Sequence, residues 1–197
     1  MRLLPSRQSS SAGILADLAA QVAPSHLGEP TITRVEFAPS RDGVREKIRF
    51  MRSLVDEDRN NPYVRALAAE ILRRSGARPG DAMGRARALF DWVRSTFTYI
   101  HEPVETFTRP RRLLLDPRFH WGDCDDFTLA LSALFEAAGF ETCIEAIGWD
   151  GRFRHVFSRV LVGPRWIAAE GTLPVPLGFD PTARAATKHG AGEYTPA

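Results

Sequence analysis

The sequence predicts an α+β domain, with helices first and an antiparallel sheet after them. Two observations carry this. Between Val44 and Gly139 apolar residues recur mostly at helical spacing, in segments punctuated by proline and glycine. After Gly139 the pattern switches to alternation, in short runs separated by turn residues. A length of 197 residues suits one domain, and a hydrophobic content of 44% is that of an ordinary globular core.

Residues 1–43 read as an N-terminal arm. Its first 12 residues are serine-rich, residues 14–22 form a short helix, and residues 31–37 alternate as a strand. Asp42-Gly43 is a turn signal. The domain proper spans residues 44–182. A helix over 44–58 buries Ile48, Met51, Leu54 and Val55. A second runs over 62–75, with Pro62 at its start and Gly76 at its end. A third, over 81–97, buries Ala86, Leu89, Phe90, Val93 and Phe97. Residues 99–119 contain Pro103, Pro110 and Pro117 and read as a long connection, whose length marks it as functional. Residues 121–139 then form a helix capped by Asp123, with Asp126 completing a capping-box-like pair. Phe127, Leu131, Leu134, Phe135 and Ala138 lie on one buried face, and Gly139 stops the helix. Strands follow over 141–147, 154–162 and 165–169, the last two joined by a hairpin at Gly163-Pro164. Residues 183–197 are small and polar and read as a flexible tail.

The formal net charge of +2 gives no steering towards nucleic acid or an anionic membrane, so neither is expected as a partner. No run of about 18 apolar residues is present, and Asp17 and Gln21 interrupt the N-terminal apolar stretch. Neither a transmembrane helix nor a signal peptide is therefore expected. Cys124 and Cys143 are too few for a disulfide framework, and free thiols in a reducing, cytoplasmic compartment are the simplest assignment.

The candidate chemistry centres on Cys124. It falls at the first position of its helix, where backbone N–H groups and the helix dipole favour a thiolate. Asp123, Asp125 and Asp126 mark a wet helix end, yet any carboxylate near the sulfur raises its pKa. A partner imidazole comes from His155 on the second strand. With a two-residue hairpin, Phe157 faces Glu170 and His155 faces Thr172. Glu170 then lies diagonally beside His155, about 7–8 Å away between backbones. A carboxylate there can fix one ring nitrogen and leave the other for the cysteine. Cys–His–carboxylate is a general arrangement for thiol nucleophilic catalysis. Three alternatives stand beside it. His120 competes as the base, Asp180 competes as the carboxylate, and His120, Cys124 and His155 form a conceivable zinc set. No CxxC or HxxxH pair supports that set, so neither metal nor organic cofactor is expected.

The stretch GDCDD opening an apolar helix, then RHVFSRV, then WIAAEGT, resembles the transglutaminase-like superfamily. FDWVRSTFTYIHEP and Pro110 fit the same pattern, and the likeness runs from about Val44 to Thr182. The resemblance implies a papain-like α+β core with Cys124 as nucleophile and His155 as base. Glu170 falls where the family usually has aspartate, in a pattern beginning at Trp166; glutamate keeps the charge and adds a methylene. Tyr99 falls where an upstream aromatic helps the Cys124 N–H form an oxyanion hole, and Trp121 would line the cleft. The superfamily includes cross-linking acyltransferases, peptidases, amidases and inactive members, and small versions occur in bacteria and phages. The expected activity is a thiol-dependent amide-bond hydrolase acting on a peptide, protein or cell-wall peptide. A catalytically idle protein bound to other phage particle proteins in a virion, and an amine-directed acyltransferase, are the alternatives.

Overall fold

The computed structural model describes residue 27 and residues 35–38, 40–101, 106–149, 152–183 and 193–196. The helix expected at 14–22 lies outside them, as does most of the strand expected at 31–37; residues 35–37, which are described, are not in a strand.

The helices begin where polar side chains cap them. Helix α1 (Arg41–Asp58) starts at Ser40, whose hydroxyl accepts the Gly43 N–H at 3.1 Å. Asp42-Gly43 is therefore the first helical turn rather than a reverse turn, because the Ser40 cap lies just ahead of it. Glycine is needed there for closeness: a Cβ on Gly43 would lie 1.9 Å from the Ala38 carbonyl oxygen. Helix α2 (Pro62–Ser75) is capped by Asn61 and ends at Gly76, where φ is 70°. Helix α3 (Ala82–Thr96) is capped by Asp81.

The stretch expected as a long loop holds the end of strand β1 (Thr98–Tyr99), helix α4 (Pro110–Leu115) and a 3₁₀ turn (Pro117–Phe119). Strand β2 (Trp121–Gly122) takes the first residues of the stretch expected as the next helix. Leu113, Leu114 and Leu115 of α4 are buried, which is the apolar signal the prolines masked. Asp58, at the end of α1, supplies the missing cap by accepting the Arg111 N–H at 2.9 Å. Strands β1 and β2 run parallel, with Tyr99 opposite Gly122.

Helix α5 (Cys124–Ala137) is the centre of the molecule. Every residue from Asp125 to Phe135 is buried, so it is enclosed on all sides rather than apolar on one face. Helices α1 to α4 pack around it, and strands β3 (Thr142–Trp149) and β4 (Arg152–Val162) close the remaining side. Of the expected single stripe, Phe127, Leu131, Leu134 and Phe135 are buried while Ala138, at the C-cap, is half-buried, and Leu129, Ala130 and Ala133 between them are buried as well. Truncating one of these leucines to alanine costs about 2–5 kcal/mol in such a core.

Strand β5 (Arg165–Ala169) forms the expected hairpin with β4, its turn carrying Gly163 at φ 60° and its register running Val162–Arg165 to Ser158–Ala169. A fourth strand, β6 (Glu193–Pro196), lies where a tail was expected and pairs antiparallel with β3. The sheet order is β5-β4-β3-β6, antiparallel throughout. Its polar links to the core are satisfied: Ser132 on α5 hydrogen-bonds Ser158 on β4 at 3.0 Å, and both are fully buried.

Candidate active site

Helix α5 packs along strand β4, and the candidate site lies where its first turn meets the strand. Pairing between β4 and β5 ends at Ser158–Ala169. Beyond it β4 would be an open edge, and the first turn of α5 fills that edge. The Thr128 hydroxyl lies 2.6 Å from the Cys124 carbonyl and 3.2 Å from the Val156 carbonyl, a bifurcated bond joining helix to strand. The Val156 N–H works to lower the Cys124 pKa. Cys124 thus docks beside the residue that follows His155 in the chain.

On the same strand, His155 Nε2 is hydrogen-bonded to Glu170 Oε2. Glu170 is 0% exposed. Its other oxygen accepts the Thr172 N–H at 2.8 Å, the Thr172 hydroxyl at 2.6 Å and the Leu173 N–H at 3.3 Å. Burial works to raise this carboxyl, but the bond and charge of His155 and the Thr172 donors outweigh it and hold it below the ordinary value. Gly171 lies against α5, where a Cβ would meet the Phe127 ring at 2.9 Å. With Nε2 committed to Glu170, Nδ1 is the nitrogen left for other work.

The competing assignments fall elsewhere. Asp180 accepts from Arg159 at 2.8 Å and from the Thr182 N–H and hydroxyl, so it belongs to an Arg159–Glu145 ion cluster. His120 stacks on Phe97 with ring centroids 5.0 Å apart and meets Trp92 edge-on; burial lowers its pKa. Among the described residues the ligand atoms grouped within 4.8 Å are those of Asp123, Cys124 and Asp125, which does not include either histidine of the conceivable zinc set.

The β1–β2 pair brings Tyr99 to the same place. Tyr99 is 51% exposed, and its phenol is raised by desolvation and by the electrostatic influence of Cys124, Asp123 and Glu170. Trp121 is 41% exposed, stacked on Phe119, with its indole N–H on the Arg118 carbonyl at 2.7 Å. Gly122 is held at φ 154°, and a Cβ there would lie 2.0 Å from Asp126. That close approach explains the glycine before Asp123-Cys124.

The thiol itself departs from the expectation of a dipole-stabilised thiolate. Burial pushes Cys124 well above the ordinary thiol value, and Asp125 and Asp123 push it further. The Val156 N–H and Lys47 oppose them without prevailing. Lys47, which no sequence signal marked, reaches from α1 to Asp125 at 3.1 Å. Cys143 is also raised, to about 11, chiefly by burial.

The backbone over 85% of the chain matches a candidate protease from Parabacteroides distasonis ATCC 8503, with a TM-score of 0.56 and 11% identity. That likeness is one of fold: helices packed around a central helix and closed by an antiparallel sheet. The chain has the order that the resemblance implies: a cysteine opening a central helix, a histidine on the following sheet and a carboxylate after the next strand. More distant likenesses are to a candidate cysteine protease from Cytophaga hutchinsonii (TM-score 0.46, 16% identity, 68% of this chain) and to a transglutaminase (0.39, 15%, 83%). The chain spans 47%, 34% and 39% of the Cytophaga, Parabacteroides and transglutaminase chains respectively. No protein-family model and no curated protein matches it. No helix among the described residues is long and apolar enough to cross a membrane.

Proposed function

We propose that the protein is a thiol-dependent hydrolase of amide bonds, acting on a peptide, a protein or a cell-wall peptide. The observation that carries the reading is the part-buried bond from Glu170 to His155, on the strand against which the first turn of the Cys124 helix is docked through Thr128. In the proposed reaction the Cys124 thiol gives its proton to His155 Nδ1 and the sulfur bonds to the scissile carbonyl carbon. The developing oxyanion takes hydrogen bonds from the Cys124 N–H and the Tyr99 hydroxyl. His155 then passes the proton to the leaving nitrogen, the C–N bond breaks, and a thioester remains on Cys124. Water, deprotonated by His155, cleaves the thioester and restores the thiol. Glu170 holds the imidazole in the tautomer that leaves Nδ1 free, and stabilises the imidazolium.

A second reading is a catalytically idle binding protein, for example a component of a phage particle. The acid-flanked, proton-holding Cys124 favours it. The experiment is turnover of peptide and cell-wall peptide substrates, with and without an added amine, against Cys124→Ala. Cys124-dependent release of free acid supports the hydrolase. Product carrying the amine points to acyl transfer. Absence of any Cys124-dependent turnover, with stable co-purification in a larger particle, supports the idle reading.

A further inference from the structure

The surroundings of Cys124 contain a pair of charges that the proposed reaction does not use. Asp125 is 1% exposed, and the Cys124 thiol points at its Oδ1 across 3.8 Å. Its other oxygen is 3.1 Å from the Lys47 ammonium. Lys47 itself lies over the Phe107 ring, 5.3 Å from its centroid, so it is held from two sides. A buried carboxylate one residue from a nucleophile is costly unless it is paired, and Lys47 pairs it from a different element, α1. The result is a relay of thiol, carboxylate and ammonium running from the helix start to the neighbouring helix.

We propose that Asp125 and Lys47 form a charge couple that holds the proton on Cys124 in the resting site and sets the pH at which the nucleophile becomes available. Asp125 accepts the S–H and opposes its ionisation by charge; Lys47 limits that opposition. The other groups that act on the sulfur are Asp123 at the helix start and the Val156 N–H on β4, with Tyr99 on β1 in electrostatic reach; His155, also on β4, is bonded to Glu170 after β5. Glu170 is already bonded to His155, which leaves Asp125 as the charge closest to the thiol that a nearby cation can modulate. On catalysis the proton leaves this couple for His155, so the resting thiol is guarded against alkylation and oxidation until a substrate excludes water. The inference rests on the hydrolase reading only in taking Cys124 as the nucleophile, and its test reads the thiol rather than turnover.

The test is iodoacetamide labelling of the full chain from pH 5 to 10, with Cys124 and Cys143 read separately by peptide mass spectrometry. Asp125→Asn moves the Cys124 profile to lower pH and speeds its labelling at pH 7 at least about tenfold. Lys47→Gln moves it to higher pH, and Lys47→Arg restores it. In the double variant Asp125→Asn with Lys47→Gln, the gain is smaller than in Asp125→Asn, because the stranded ammonium that favours the thiolate is gone. Cys143 serves as the internal reference. A profile that stays in place or moves upward in Asp125→Asn overturns the proposal. If Asp125→Asn fails to fold by circular dichroism, the half-buried Lys47 decides alone: identical profiles for Lys47→Gln and wild type overturn it.

Discussion

Replacing Glu170 by glutamine separates what this residue does for the fold from what it does for the imidazole. Its Oε1 already serves the Thr172 N–H, the Thr172 hydroxyl and the Leu173 N–H. A glutamine must keep its carbonyl oxygen there, since an amide NH₂ would face three donors. The NH₂ then points at His155 Nε2, donor against donor. The imidazole relieves this by moving its proton to Nδ1, at which point Nε2 accepts and the bond is remade. Stability therefore falls by only about 1.5–3 kcal/mol, the worth of one charged hydrogen bond. The rate suffers far more, because an Nδ1 that carries a proton cannot take one from Cys124. Loss of the corresponding carboxylate in a Ser-His-Asp site costs about 10⁴ in rate, and a fall of about 10³–10⁴ is expected here. That fall is roughly 4–5.5 kcal/mol of barrier. Turnover, denaturant unfolding and ¹⁵N NMR of His155 measure the three quantities together. Activity within about tenfold of wild type, or a ring proton that stays on Nε2, would refute the reasoning. Linkage adds a second reading of the same variant. Glu170 is held below its ordinary value of 4.5, so its stabilising contribution is complete above that pH and is lost as pH falls through the folded-state value. Glu170→Gln should flatten the acid limb of the stability curve below about pH 4.5 and leave its alkaline limb unchanged.

Further outcomes follow from packing. Gly122→Ala, whose Cβ would sit 2.0 Å from Asp126 Oδ2 at a φ that side chains rarely adopt, should cost about 1–3 kcal/mol by urea unfolding and disturb Cys124 labelling with it. Ser132→Ala leaves the Ser158 hydroxyl buried without its partner and should cost about 1–3 kcal/mol, whereas Ser132→Ala with Ser158→Ala should cost less than the two single losses added; additive losses would show that the pair is not coupled. Arg159→Met strips the cation from the buried Glu145 and should cost about 3–5 kcal/mol at pH 7 by the same assay, with Glu145→Gln restoring part of it.

The fold was legible where one physical signal dominated. Asn61-Pro62 and Gly76 bracket α2, and Gly163-Pro164 sets the β4–β5 register. Its pairing stops at Ser158–Ala169, short of the expected Phe157–Glu170 and His155–Thr172 pairs. The register left Glu170 and Asp180 both open as partners of His155, of which Glu170 is the one bonded to it. Elements that depend on partners from afar were not legible. Helix α4 is short, proline-led and capped by Asp58 of another helix, so its own sequence reads as loop. The burial of α5 on all sides also exceeds what its stripe suggests, because four helices and a sheet converge on it. At the site, the positions of Cys124, His155 and Glu170 followed from motif and register, but the ionisation of the thiol did not. The helix dipole argued for a thiolate; burial and the charges of Asp125 and Asp123 reverse it, against the opposing pull of Lys47 from another helix. Thr128 was equally hidden, since nothing in its neighbours announces that its hydroxyl bridges to Val156.

The central claim is that Cys124 forms an acyl intermediate that water resolves. Intact-protein mass spectrometry after rapid acid quench, using a peptide-amide or activated-ester substrate, tests it most directly. The account predicts a mass increase equal to the acyl group, located on Cys124 by peptide mapping. It should decay to free acid, persist longer in His155→Ala, and be absent from Cys124→Ala. Substrate cleavage that survives in Cys124→Ala, or an acyl group that maps to Cys143, would contradict it.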